Sequence, residues 1–163
     1  MKKIYIKSAR KVLQNKILLE EILNVKIEVK GTTTTIFGKE LDEYFASRVL
    51  EAIDFPFLVD DALLLKSEDY LFEVMDIKDY TKRRDLDVIK GRIIGTKGKT
   101  LKVLMDLSGC EIIVKDNNVA IIGKAENIKN AVQAVISLIR GSKQGNVYAR
   151  LEGANRRKKS RDN

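Results

Sequence analysis

Residues 25–53 lie over residues 110–138 without a gap, at an offset of 85 that sets Val25 on Cys110. Val25-Lys26-Ile27-Glu28-Val29-Lys30 falls on Cys110-Glu111-Ile112-Ile113-Val114-Lys115, and Thr35-Ile36-Phe37-Gly38-Lys39 falls on Ala120-Ile121-Ile122-Gly123-Lys124. Each copy reads as a strand, a polar turn, a second strand, a glycine and a long amphipathic helix. Ile27 and Val29 alternate with charges, as in a half-buried strand. Gly31 and the pair Asn117-Asn118 supply the turns. In the second helix Ile128, Val132, Val135, Ile136 and Ile139 follow three/four spacing. Two copies are too few for a solenoid, which needs three or more. They predict two related small α+β domains within 163 residues.

Upstream of the shared core the second copy carries more. Residues 70–75 read as a strand and residues 81–94 as helix-prone, with Leu86, Ile89 and Ile93 on one side. Gly95-Thr96-Lys97-Gly98 breaks that helix. Residues 99–107 form a second short one, closed by Ser108-Gly109 with glycine just past its end. The predicted order is β-α-(GxxG)-α-β-β-α. The same offset puts Arg10-Lys11-Val12-Leu13 where the second copy has its glycine loop. No glycine stands there, and only Ile4-Tyr5-Ile6 remains for a first strand. The first copy therefore reads as degenerate, with its first helix shortened or gone, and as a unit that packs, orients or binds protein.

A lone GxxG is a weak signal. This one sits between helices, carries Lys97, is flanked by Arg92, Lys99 and Lys102, and follows the apolar pair Ile93-Ile94. Glycine lets a backbone come close to a phosphodiester, and the N–H groups opening the next helix attract the anion. The KH module holds single-stranded nucleic acid in this way, its loop clamping about four nucleotides while bases face an apolar groove. Ile94 and Ile113 are the expected groove floor. Met105 and Cys110 read as packing. Gly98-Lys99-Thr100 imitates the end of a nucleotide-binding P-loop, but the glycine required five residues earlier is Ile93. NTP binding is therefore not expected.

Charge agrees with a polyanion partner for the second half. Between residues 81 and 102 there are eight basic residues against two acidic, and Arg156-Arg157-Lys158-Lys159-Ser160-Arg161 is basic again. Between residues 40 and 76 there are eleven acidic against two basic. Basic surfaces also simply solvate a protein, and charge alone does not separate the two. The chain has no histidine and one cysteine. That excludes imidazole acid–base chemistry, an intrachain disulfide and histidine- or thiolate-held zinc. No apolar run reaches about 18 residues, and residues 1–7 do not read as a signal peptide. No cofactor, metal or membrane partner is expected, and the cytoplasm is the expected compartment.

Gly91-Arg92-Ile93-Ile94-Gly95-Thr96-Lys97-Gly98-Lys99-Thr100 is similar to the central motif of the KH-type small-subunit ribosome assembly factors, the partner-of-Nob-One family and its archaeal counterparts. The likeness runs on through Val119-Ala120-Ile121-Ile122-Gly123 and the glycine-bounded segment from Leu138 to Tyr148. It also takes in residues 70–77 with Asp79-Tyr80, and Asp54-Phe55-Pro56-Phe57 with Ala62-Leu63-Leu64-Leu65. The resemblance implies two type I KH-like units, β-α-α-β-β-α, the first degenerate and lacking GxxG. The expected division is residues 1–55 for the degenerate unit, 56–68 for a linker helix, 69–150 for the KH domain and 151–163 for a basic, disordered tail.

The resemblance further implies a non-enzymatic protein that binds single-stranded small-subunit rRNA near its 3′ end, beside the Nob-family endonuclease that makes the final pre-rRNA cut. The RNA-binding residues carried over are Arg92, Ile94, Gly95, Thr96, Lys97, Gly98, Lys99, Lys102 and Ile113. One alternative is a KH adaptor in RNA decay or translation. Another is a metal-dependent ribonuclease built on Asp60, Asp61, Glu68 and Asp69, whose spacing fits a solvated face better.

Overall fold

A computed structural model describes residues 1–7 and 9–162. Two compact units emerge, residues 1–72 and 73–163.

In the first unit, strand β1 (Lys2–Tyr5) leads into helices α1 (Arg10–Gln14) and α2 (Lys16–Leu23). Strands β2 (Lys26–Lys30) and β3 (Thr33–Phe37) and helix α3 (Glu40–Asp54) follow. The sheet order is β1-β3-β2, all antiparallel, with Ile27 opposite Ile36 and Ile4 opposite Thr34. Its core is Ile6, Val12, Leu19, Ile27, Ile36, Val49, Leu50 and Ile53, each at most 2% exposed. The first helix is thus shortened but present. Five residues suffice because Val12 is fully buried and anchors it. Helix α4 (Val59–Leu63) and the 3-10 turn Leu64–Lys66 belong to this same unit. Phe57, Ala62 and Leu65 are buried, and Phe72 meets both Phe55 and Phe57 edge-on at 6.1 Å.

Strand β4 (Tyr70–Asp76) carries the chain into the second unit. A 3-10 turn (Ile77–Tyr80), helix α5 (Leu86–Ile94), a turn (Thr96–Gly98) and helix α6 (Lys99–Ser108) follow. Then come β5 (Glu111–Lys115), β6 (Asn118–Lys124), α7 (Ala125–Ile139) and α8 (Gln144–Asp162). The sheet order is β4-β6-β5, which repeats the first unit's topology with the third strand central. Helix α5 starts five residues later than the sequence pattern predicts. The Thr81 hydroxyl accepts from the Arg83 N–H, a turn that competes with helix, and the run Lys82-Arg83-Arg84 repels itself.

The offset of the repeat has a packing cause. Asn24 and Gly109 both close a helix in the left-handed conformation, at φ 56° and 69°. Just beyond, Gly38 faces Val25 and Gly123 faces Cys110. A Cβ on Gly38 would stand 2.9 Å from Val25 Cγ1, and one on Gly123 would stand 2.3 Å from Cys110 Sγ. Each glycine admits the residue that immediately precedes the neighbouring strand. Cys110 is buried, and burial pushes its thiol above the ordinary range, which disfavours the thiolate.

Residues 151–162, expected to be disordered, instead continue α8; Asn163 lies outside the described residues. Val147 and Leu151, one turn apart and at most 3% exposed, pin the helix to the unit. The Asn155 amide donates to the Leu107 carbonyl at 2.8 Å, and the Lys158 ammonium donates to the Asn127 side-chain oxygen. A basic sequence with these anchors gains enough contact to stay helical. Among the described residues no helix is long and apolar enough to cross a membrane.

Candidate nucleic-acid interface

Helix α5 is fixed by Ile89 and Ile93, both fully buried. It ends at Gly95, whose φ 75° and ψ 174° belong to glycine almost alone. Space imposes the same choice. A Cβ on Gly95 would lie 2.2 Å from Thr100 Oγ1 and 2.7 Å from its Cβ. Gly95 is therefore the point where α5 and α6 touch. The chain then turns within three residues. Lys97 takes the left-handed conformation (φ 55°) despite its side chain, and Gly98 follows at φ 73°. The left-handed lysine costs about 1 kcal/mol and is held by hydrogen bonds on both sides. The Gly98 N–H donates to the Gly95 carbonyl at 3.2 Å, and the Lys99 N–H to the Thr96 carbonyl.

The corner leaves one stretch of backbone uncovered. Thr96 and Lys97 are exposed, and nothing lies within 4 Å of where a Gly98 Cβ would be. Gly98 is also the residue preceding α6, so no side chain caps that helix. Its first N–H groups and the positive end of its dipole are left open to an anion.

Lys97, Lys99 and Lys102 are exposed, and Arg92 is half-buried. None has a carboxylate within ion-pair distance among the described residues, whereas nearby Lys90 pairs with Asp87 at 3.3 Å. Arg92, Gly95, Thr96 and Lys99 edge an open groove of about 560 Å³, with Val88, Val103 and Tyr148 as its apolar wall. Ile94 and Ile113, expected as the groove floor, are not among the residues lining it. Both are half-buried, and Ile113 sits opposite Ala120 in the β5–β6 ladder.

Three further residues complete this site; the sequence motifs contain them but do not show what they touch. Thr100 packs on Gly95. Gln144, at the start of α8, donates to the Arg92 carbonyl at 3.2 Å and to Thr100 Oγ1 at 3.0 Å. One amide thus ties the last turn of α5 to the first turn of α6, across the base of the loop. Tyr148 lines the groove one turn along, while its neighbour Val147 faces the protein.

The corresponding corner of the first unit is closed. Helices α1 and α2 meet at the single residue Asn15, which stays at negative φ (−113°). Its N–H donates to the Val12 carbonyl at 3.2 Å and its side-chain amide to the Lys11 carbonyl at 2.8 Å. The Lys11 ammonium donates to the Phe57 carbonyl at 3.2 Å. Of the three basic residues there, Arg10, Lys11 and Lys16, Arg10 alone is exposed. Among the described residues no group of three or more acidic or cysteine side chains is placed to hold a metal ion, Asp60, Asp61, Glu68 and Asp69 included.

Comparisons with known proteins agree with this geometry. The family model for the eukaryotic-type KH domain (KH domain type I), in its Pno1 second-domain form, matches residues 71–156. A KH domain-containing protein of Methanocaldococcus jannaschii is 36% identical over 141 residues, 82% of this chain and 62% of that one. The pre-rRNA-processing protein pno1 of Schizosaccharomyces pombe is 39% identical over 115 residues, 69% of this chain and 48% of that one. The chain therefore spans about half to three fifths of these relatives. Among solved structures, one of an a/eIF2alpha–aDim2p–rRNA complex from Pyrococcus horikoshii superposes with a TM-score of 0.84. The chain aligned there is 31% identical, and the match covers 98% of this chain and 94% of that one.

Proposed function

The chain belongs to the type I KH-domain family of the Pno1 pre-rRNA-processing proteins, and on that premise we propose that it is an assembly factor holding single-stranded small-subunit rRNA near its 3′ end. The observation that carries this is the corner at residues 95–98, where main chain is uncovered, glycine is required and unpaired cations surround it. In this reading Gly95 and Gly98 let the backbone meet a phosphodiester. The opening N–H groups of α6 and the side chains of Lys97, Lys99, Lys102 and Arg92 neutralise it. Thr96, Val103 and Tyr148 meet sugar or base. Ile94 and Ile113 lie outside the lining of this groove and take no part in this reading.

The protein performs no cleavage in this reading. It presents the rRNA end in the cytoplasm to a separate endonuclease of the Nob family. Support comes from the name of the Schizosaccharomyces pombe relative, a pre-rRNA-processing protein, and from the rRNA in the solved complex, one chain of which this fold matches.

The test is a filter-binding titration of the Thr96→Asp/Lys97→Asp variant with single-stranded RNA of the small-subunit 3′ region. Both positions are exposed, so the fold should survive. Affinity should fall about a hundredfold, which is about 2.7 kcal/mol. The wild-type log–log salt plot should slope by about −0.7 for each phosphate held. Unchanged affinity in a folded variant would remove the loop from the site. Cleavage of precursor rRNA by the purified protein with magnesium or manganese would overturn the non-enzymatic role.

A further inference from the structure

Helix α8 carries six basic residues against two acidic, and the glycine corner uses none of them. It packs beside α7, and between the two helices runs an open groove of about 460 Å³. The floor is apolar and made largely of small side chains, with Ala134 from α7 and Gly153 and Ala154 from α8. Arg150 and Arg157 stand along its rim, both exposed. They lie seven residues apart, hence on one face and roughly 10 Å apart along the axis. The Arg150 guanidinium reaches the Ser137 hydroxyl at 3.5 Å. The Arg157 guanidinium lies 3.7 Å from where a Gly153 Cβ would be, so it is folded along the helix beside the groove. Neither arginine meets a carboxylate among the described residues. From α7, Asn130 and Gln133 contribute amide side chains that make no hydrogen bond among the described residues.

We propose that this α7–α8 groove is a second binding site for single-stranded RNA, taking the strand beyond the nucleotides held at the glycine corner. The proposal extends the RNA-binding reading above and rests on it. The chemistry is specific to that class of ligand. A guanidinium is weakly hydrated and planar; it forks onto a phosphate and stacks on a base face. A floor of alanine and glycine lets a flat base approach closely, as on the stacking platforms of single-strand binders. The free amides offer both donors and acceptors to a base edge. An acidic helical segment of a protein would also satisfy the charges, but it lacks the run of planar rings that a nucleotide strand can lay on a small-residue floor.

The experiment compares two single-stranded RNAs on the full-length chain by fluorescence anisotropy. One is about four nucleotides long, the length a KH loop holds, and the other about twelve, enough to run on to a neighbouring site. The variants are Arg150→Ala/Arg157→Ala and, independently, Ala149→Glu, which sets a carboxylate on the exposed rim. Both should bind the short RNA as the parent does. Both should bind the long RNA roughly tenfold more weakly, and the salt slope for the double arginine variant should shrink by about 1.4, the share of two phosphates. Circular dichroism melts unchanged from the parent keep the comparison clean.

Equal binding of the long RNA by parent and both variants would overturn the proposal. So would an equal loss on both lengths, which would make the arginines supports of the loop. Capture of an acidic helical peptide that is lost in the variants, with RNA binding untouched, would assign the groove to protein and overturn it too. Thr96→Asp/Lys97→Asp serves as the control on the premise. If it spares the short RNA, the corner is not the clamp, yet the length-dependent loss in the arginine variant still decides the groove.

Discussion

The two helix corners of this molecule begin from the same topology and end as different surfaces. In the first unit α1 and α2 meet at Asn15, whose side-chain amide turns back onto the Lys11 carbonyl of α1, and Lys11 is tied to the Phe57 carbonyl. In the second, α5 and α6 meet through Gly95, Lys97 and Gly98, all at positive φ. One corner satisfies its polar groups internally. The other leaves main-chain donors and cations for something else. Topology supplies a frame that brings two helices to a point, and local residue choice decides whether that point is sealed or open.

Gly95→Ala should break the comparison most severely. Its Cβ meets Thr100 at 2.2 Å and its φ is positive, so the second unit should lose about 3 kcal/mol of stability in a denaturant melt. Gly98→Ala has only the φ cost of about 1 kcal/mol, because its Cβ points into open space. Its effect should instead appear in RNA titration, as a loss of about tenfold. If Gly98→Ala destabilised as much as Gly95→Ala, the loop would not be an open surface.

The glycines that set the repeat give a finer contrast. Gly123→Ala should cost about 2 kcal/mol and Gly38→Ala about 1, following contacts of 2.3 Å and 2.9 Å. Cys110→Ala should rescue much of the first, because the added methyl would then find the space the sulfur leaves. Additive costs in that double variant would show that Gly123 matters for another reason. The smallest effect is expected in the first unit. Arg10→Asp/Lys11→Asp should change RNA affinity by no more than about twofold at moderate salt. A loss equal to that of the loop variant would make the sealed corner a live RNA site.

Much of this was readable in one dimension because the repeat is written in packing. The offset of 85 residues sets Val25 on Cys110 and Gly38 on Gly123, and each pair is one contact between a strand start and a strand end. Past Asn24 and Gly109, toward the N-terminus, the registers part. Helix α6 has ten residues and α2 has eight, so a gapless overlay lays the glycine loop on α1. The break at Asn15 was invisible because asparagine at negative φ is no helix breaker by type.

The site was legible where local chemistry announces it, in Gly95, Lys97 and Gly98, and illegible where distant contacts build it. Gln144 reaches Thr100 across 44 residues. No spacing rule foretells that amide, nor the anchors Val147 and Leu151 that turned an expected tail into helix. Ile94 and Ile113 are apolar neighbours of the motif, and a strand's alternation cannot say which groove a half-buried isoleucine serves.

The bond from Gln144 also imposes an order in time. Translation delivers that residue 44 positions after Thr100, so a nascent polypeptide owns the glycine corner before it owns the clasp beneath it. A product stalled ahead of α8 would carry a corner unclasped at its base.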